Sequence, residues 1–199
     1  MLGGGLNSFS YTYTEGNAMI LTPLALAVDQ VAGTGRFTNG RFARHNYEFR
    51  RLQKITDNAS LLLGLQGQLA STNLMSAEKF SLGGASGVRA YPAGEALGDT
   101  GYLFQAEFRY NLPGVKFAGG GVSLTGFWDQ GWVRLNQDAL PTDTANERHL
   151  SGYGIGASLG KEADFLLRVS AAWRNENEAP VSDTARRTPR YWVQAIKWF

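Results

Sequence analysis

Cysteine is absent from the 199 residues, and histidine occurs only as His45 and His149. Without cysteine the chain is no disulfide-framed mini-domain, and the composition agrees with an exported protein. One histidine falls in a strand-like segment and the other in a polar stretch, with no metal-ligand spacing, and no glycine-flanked serine nucleophile occurs. A catalytic constellation is therefore missing, which points away from an enzyme and calls for no cofactor. Neither sign of charge dominates: 19 basic and 17 acidic residues interleave to a net +2, leaving no footprint for nucleic acid. No run of about 18 apolar residues exists, so no transmembrane helix is encoded. The segment after Met1, LGGGLNSFSYTYT, lacks both a basic start and a continuous apolar stretch and is not a signal peptide.

What the chain has is glycine (25 residues), aromatic residues (12%) and a pattern of period two. Residues 80 to 111 show the pattern best: a short apolar start at Phe80 and Leu82, a glycine-rich loop, then clean alternation. Tyr102, Phe104, Ala106, Phe108 and Tyr110 share one face of a strand, and Leu103, Gln105, Glu107 and Arg109 share the other. A carboxylate and a guanidinium on the second face would be costly in an ordinary apolar core. A barrel wall with lipid outside and water inside accepts both faces, and its half-apolar strands escape whole-window hydropathy scales. The GGASG run would suit a phosphate-cradling loop, but no P-loop lysine or Ser/Thr follows it and no helix pattern opens after it.

The glycine-rich loop contains Val88-Arg89-Ala90-Tyr91, then Pro92, then Gly98-Asp99, the whole spelled VRAYPxGEAxGDxG. This resembles the VRGY-type loop of TpsB transporters, the barrel proteins of two-partner secretion, with Ala90 in the glycine position of the broader superfamily. Downstream, Phe127-Trp128-Asp129-Gln130-Gly131 resembles the family's FxDxG strand motif. The chain ends YWVQAIKWF, and Phe199 resembles the terminal aromatic sorting residue of outer-membrane barrels, recognised by the barrel assembly machinery. Lys197 departs from that signature, although a lysine near a bilayer rim can snorkel. The resemblance is close over residues 58–199 and looser over 1–57.

The resemblance implies that the motif loop folds back into the lumen, where Arg89 meets Asp129 in a directional, charge-assisted contact. The alternative is that Arg89 is a solvated loop charge and Asp129 an ordinary lumen residue. Tyr91 is expected to pack the loop tip, and Gly98 with Asp99 to shape the loop's exit. Glu107 and Arg109 either join the network around the docked loop or simply wet the pore.

Further strands are read at residues 6–14, 42–55, 59–71, 80–82, 117–133, 150–160, 165–174 and at the C-terminus, about nine in all with the motif strand. Thr56-Asp57-Asn58 and Asn111-Leu112-Pro113-Gly114 read as turns. Residues 15–41 break the alternation, and LALAVDQVAG within them could form a short helical turn. Connections alternate in length, short at 72–76, 111–116 and 161–164 and long at 84–98, 135–149 and 175–189, which puts the motif loop on the extracellular rim. On this count segment 15–41 falls on the wrong rim.

The expected fold is all-β, an antiparallel up-and-down transmembrane barrel present as an open fragment with a lumen-directed motif loop. Nine strands would leave the first and last running the same way, unable to complete an antiparallel ring, and the resembled barrel has about sixteen. The remaining strands and the periplasmic POTRA domains are expected before Met1, making residues 1–199 the C-terminal part of one barrel domain. Phe104, Phe108, Val122, Leu124, Tyr153, Ile155, Leu167 and Val169 should face lipid, with Gln66, Glu107 and Arg168 opposite. The implied function is export of a TpsA-type haemolysin or adhesin across the outer membrane of a Gram-negative bacterium. The implied partners are that exoprotein, outer-membrane lipid and the assembly machinery, with no nucleic acid and no nucleotide energy source. Alternatives are an outer-membrane assembly insertase of the same superfamily, a passive porin, or a soluble ligand-binding barrel.

Overall fold

The alternation is realised as one antiparallel sheet of eight long strands in a computed structural model that describes residues 4–175, 178–183 and 187–199. In chain order these are β1 (Gly5–Ala18), β2 (Gly40–Lys54) and β3 (Ala59–Ala70), followed by two short strands inside the motif loop, β4 (Phe80–Ser81) and β5 (Leu97–Gly98). The wall resumes with β6 (Thr100–Phe117), β7 (Gly120–Arg134), β8 (Glu147–Lys161), β9 (Phe165–Arg174) and β10 (Arg190–Lys197). Wall strands lie side by side in chain order, from β1 through β3 to β6 and on to β10, each antiparallel to the next. Among the described residues no ladder joins β1 to β10, so the sheet is open.

Two turn and strand expectations are corrected. Phe80 does not begin a wall strand: β4 pairs only with β5, and Leu82 just after it is fully buried beneath the loop. The wall therefore has eight strands, and parity does not oppose closure, since eight up-and-down strands leave the ends antiparallel. The missing pairing itself makes the sheet open. The same correction moves the rims. Connections 19–39, 71–99, 135–146 and 175–189 now share one rim, and 55–58, 118–119 and 162–164 share the other. Segment 15–41 thus obeys the length rule, its middle forming the short helix α1 (Pro23–Asp29).

The turn expected at Asn111-Leu112-Pro113-Gly114 is also displaced. β6 runs through it, with the register against β7 slipping between Asn111 and Lys116. Proline lacks the ladder donor and is tolerated at such an irregularity. The reversal comes at Ala118 (φ 49°) and Gly119 (φ 79°), two successive left-handed residues of the kind that tight hairpins use.

The two faces separate as the alternation requires. On the outer face Phe104 meets Trp128 edge-on at 5.9 Å and Tyr153 stacks on Trp173 at 6.1 Å. Phe108, Leu124, Ile155, Leu167 and Val169 are all exposed there, a continuous apolar surface that water would penalise and acyl chains would not. The buried cluster lies on the other face. Leu82, Val88, Ala90 and Tyr91 of the motif loop pack against Leu103 of β6, Phe127 and Val133 of β7, Leu150 of β8 and Ala172 of β9. The main buried apolar cluster is thus one loop packed against the inner wall, which sets the loop's position.

Candidate functional site: the seat of the motif loop

The loop leaves and re-enters through the β4–β5 ladder and turns back tightly within it. Gly83 N–H donates to the Glu95 carbonyl at 3.0 Å, and Val88 N–H donates to the Leu82 carbonyl at 2.8 Å. Gly87 allows that fold, because a Cβ there would stand 2.1 Å from the Leu82 carbonyl oxygen. The tight turn presents Arg89 to the wall.

Arg89 spends its whole guanidinium on two wall carboxylates. Nε and Nη2 donate to the two oxygens of Asp129, each at 2.8 Å, and Nη1 donates to Glu107 Oε2 at 2.6 Å. The Arg89 backbone N–H adds a third bond to Asp129 at 3.1 Å. The guanidinium also lies 3.5 Å above the Phe127 ring, so stacking and the fork geometry are satisfied together. Burial alone would lower the Arg89 pKa, but the bonds and charge of Asp129 and Glu107 raise it above its ordinary value. Asp129 is fully buried, so removing Arg89 would strand a carboxylate away from water at a cost of about 3–5 kcal/mol.

Neighbouring side chains complete the seat. Gln105 Nε2 bridges the Gly87 carbonyl at 3.0 Å and Asp129 Oδ1 at 3.3 Å. Arg109 Nε donates to Glu107 Oε1 at 2.6 Å, so both lumen charges join the network around the loop. From the far side, Trp192 Nε1 donates to the Arg89 carbonyl at 2.8 Å. Space for the loop comes from wall glycines: a Cβ on Gly131 would stand 2.3 Å from Leu82 Cδ1, which is what the last position of the Phe127–Gly131 motif contributes.

The remaining flagged residues divide. Tyr91 is fully buried, and its hydroxyl donates to the Glu178 carbonyl at 3.1 Å. Asp99 is also fully buried and does more than shape an exit. It accepts from Leu74 N–H at 3.1 Å and Gln137 N–H at 2.8 Å, and pairs with Lys79 at 3.0 Å, joining the motif loop to the β7–β8 connection. Gly98 leaves no room for a Cβ, which would fall 2.6 Å from the Arg134 carbonyl oxygen. Phe199 lies beyond β10, fully exposed and apart from the seat, while Lys197 pairs with Asp164 of the β8–β9 turn.

Gln105, Trp192 and Glu95 were not singled out from the sequence. Gln105 and Trp192 stand at inward positions of their strands, so alternation alone could have found them. Glu95, a lone carboxylate among small residues in PAGEALG, was visible only as part of the motif's spelling. Among the described residues no group of three or more His, Cys, Asp or Glu could hold a metal ion.

A family model described as haemolysin secretion/activation protein ShlB/FhaC/HecB matches residues 1–159. The heme/hemopexin transporter protein HuxB of Haemophilus influenzae (strain 86-028NP) is 31% identical over 160 residues, 79% of this chain and 27% of HuxB. Among solved structures, CdiB from Escherichia coli superposes with a TM-score of 0.70 over 97% of this chain and 33% of its own, at 18% identity. CdiB from Acinetobacter baumannii gives 0.52 over 79% of this chain and 26% of its own, at 24% identity, and both likenesses speak to the fold alone. The chain spans between about a quarter and a third of the length of these relatives. With a family model over most of its residues and a motif loop seated on an inner barrel wall, the chain belongs to the ShlB/FhaC/HecB family, whose members are outer-membrane β-barrels of Gram-negative bacteria.

Proposed function

We propose that the protein of which this chain is part translocates a large TpsA-type exoprotein, a haemolysin or adhesin, across the outer membrane, and that the seated motif loop is the element it works with. The reading rests on family membership together with one observation: Arg89 is held by Asp129 and Glu107 on the inner face, where a pore lining would be. A passive pore has no need of a buried, four-point clamp on a folded-back loop. Further strands beside β1 and β10 belong to the same proposal, supported by the two sheet edges left without a ladder among the described residues, and so do the POTRA domains expected of a barrel of this kind. The proposed partners are the exported protein, the surrounding lipid and the machinery that assembles the barrel.

The test is Arg89→Ala in the full-length protein. Secretion of the exoprotein should fall while the amount of assembled barrel in the outer membrane stays the same, because the wall strands pair without the loop. Unchanged export at equal abundance would overturn the loop's role.

A further inference from the structure

A second carboxylate fixes the motif loop from the opposite direction. Glu95 is fully buried although it belongs to a connection between strands. Its Oε1 meets Arg148 Nη2 of β8 at 3.0 Å and accepts the Val181 N–H at the same distance. Its Oε2 accepts the Ser182 N–H at 2.9 Å and the Ser182 hydroxyl at 2.5 Å. Burial by itself would raise the Glu95 pKa, but the bonds from Ser182 and Val181, with the charge of Arg148, hold it below the usual carboxylate range.

Two charge pairs of opposite sense therefore secure one loop. Arg89 of the loop goes to Asp129 of the wall, and Arg148 of the wall goes to Glu95 of the loop. The second pair differs because it has a third member. Residues 178–182, in the β9–β10 connection, contribute most of the donors to Glu95, and the same stretch returns the Glu178 carbonyl to Tyr91 and the Glu178 carboxylate to Arg148. The outer stretch thus closes over two buried residues of the motif loop.

A buried carboxylate with this many donors cannot leave them singly, since each lost bond exposes an unsatisfied charge or amide. Withdrawing the loop would strip Val181 and Ser182 of their acceptor, and lifting 178–182 would leave Glu95 with Arg148 alone. Each movement makes the other cheaper, which is a coupling between the cell-surface rim and the lumen.

We propose that Glu95 is a positioning residue through which the outer stretch 178–182 latches the motif loop into its seat, so that release at the rim and opening of the lumen are coupled. This rests on the translocator reading proposed above, and takes the seated loop as the element that closes its lumen. It adds a residue, a partner segment and a coupling between them.

The test uses the full-length protein in planar lipid bilayers, with single-channel currents as the readout. Glu95→Gln, which keeps an acceptor but loses the charge, should raise the fraction of time the channel is open by about tenfold, and Ser182→Ala by about threefold. This chain has no cysteine; with any cysteines elsewhere in the full-length protein replaced, the pair Glu95→Cys and Ser182→Cys can be bridged by a short bis-methanethiosulfonate, which joins both thiols through disulfides. Bridging should return the open fraction to the wild-type level, and cleaving the bridge with reductant should raise it again. A purely structural role for Glu95 would not give that reversal. Should Glu95→Gln fail to assemble, Ser182→Ala and the bridged pair carry the test. If those variants stay at the wild-type level while Arg89→Ala opens the channel, the latch is wrong and the loop reading stands. If Arg89→Ala is silent too, the loop is not the occluding element and both fall.

Discussion

The Ala90 methyl faces Gly152 of β8 so closely that a Cβ on Gly152 would stand 2.5 Å from it. The methyl at the position where the broader superfamily has glycine is therefore accommodated by the absence of one across the interface. Ala90 is almost fully buried at this contact, next to the Arg89 seat. Gly152→Ala should push the loop off the wall, and Ala90→Gly should recover part of the loss in the double variant. Recovery should be partial, because the new Cβ would still lie 2.9 Å from the Trp173 carbonyl oxygen. A double-mutant cycle on the full-length protein, read as protease sensitivity of residues 84–96, should give a coupling of about 1–2 kcal/mol. Strict additivity would mean that the two residues do not share the space.

Strand faces were legible from the sequence because lipid outside and loop or water inside impose the same period of two along every wall strand. The failures have separate causes. Phe80 and Leu82 look like a wall strand because an apolar residue facing lipid and one facing a seated loop have the same side chain. Only the three-dimensional position of Leu82, buried against Gly131, separates them. Pro113 and Gly114 carry turn chemistry that here makes a ladder irregularity, while Ala118, which carries none, takes the left-handed turn conformation. The Arg89 and Asp129 positions were reachable through the motif spelling. Glu95 stood within the same spelling, but its contacts were not legible, because its donors come from Val181, Ser182 and Arg148, far away in the chain and without a pattern of their own.

The loop rim holds another long-range pair with a pH signature. Arg36, in the β1–β2 connection, places Nη1 and Nη2 on the two oxygens of Asp143 in the β7–β8 connection, at 2.6 and 2.8 Å. The Arg36 bonds, the Leu140 N–H and the nearby charges of Arg36 and Lys79 together lower the Asp143 pKa from 3.8 to about 2, with burial opposing. A depressed carboxylate contributes in full above its unfolded pKa and loses that contribution as pH falls through the folded one. The Arg36–Asp143 link should therefore weaken only below the ordinary aspartate range, toward about 2. Carboxylate carbon shifts of Asp143 followed by NMR should titrate there, and should move back toward 3.8 in Arg36→Gln. An unshifted midpoint in that variant would show that Arg36 is not the cause.

If the outer face meets lipid, the same new charge should have unequal effects on the outer face of β8 and on the inner face of β3. Ile155 sits midway along β8 on the outer face, 62% exposed, with Gly126 and Ala171 as its ladder neighbours. Gln66 sits within β3 on the inner face, beside a cavity lined by Arg89 and Glu107, and Glu48 stands directly opposite it on β2. An arginine at position 155 has nothing to pair with and only acyl chains around it, so Ile155→Arg should cost about 2–4 kcal/mol if it lies near the bilayer midplane. An arginine at position 66 enters a polar space where Glu48 across the ladder already pairs with Arg50 and where Arg89, Arg109 and Arg168 also stand, so attraction and repulsion between exposed charges should leave a change within about 1 kcal/mol. Folding of the full-length protein into lipid vesicles, followed by denaturant titration, measures both. Gln66→Arg should fold with near wild-type stability, and Ile155→Arg should be clearly weakened or fail to insert. The reverse order would mean that the face carrying Phe104 and Ile155 is not the one that meets the bilayer.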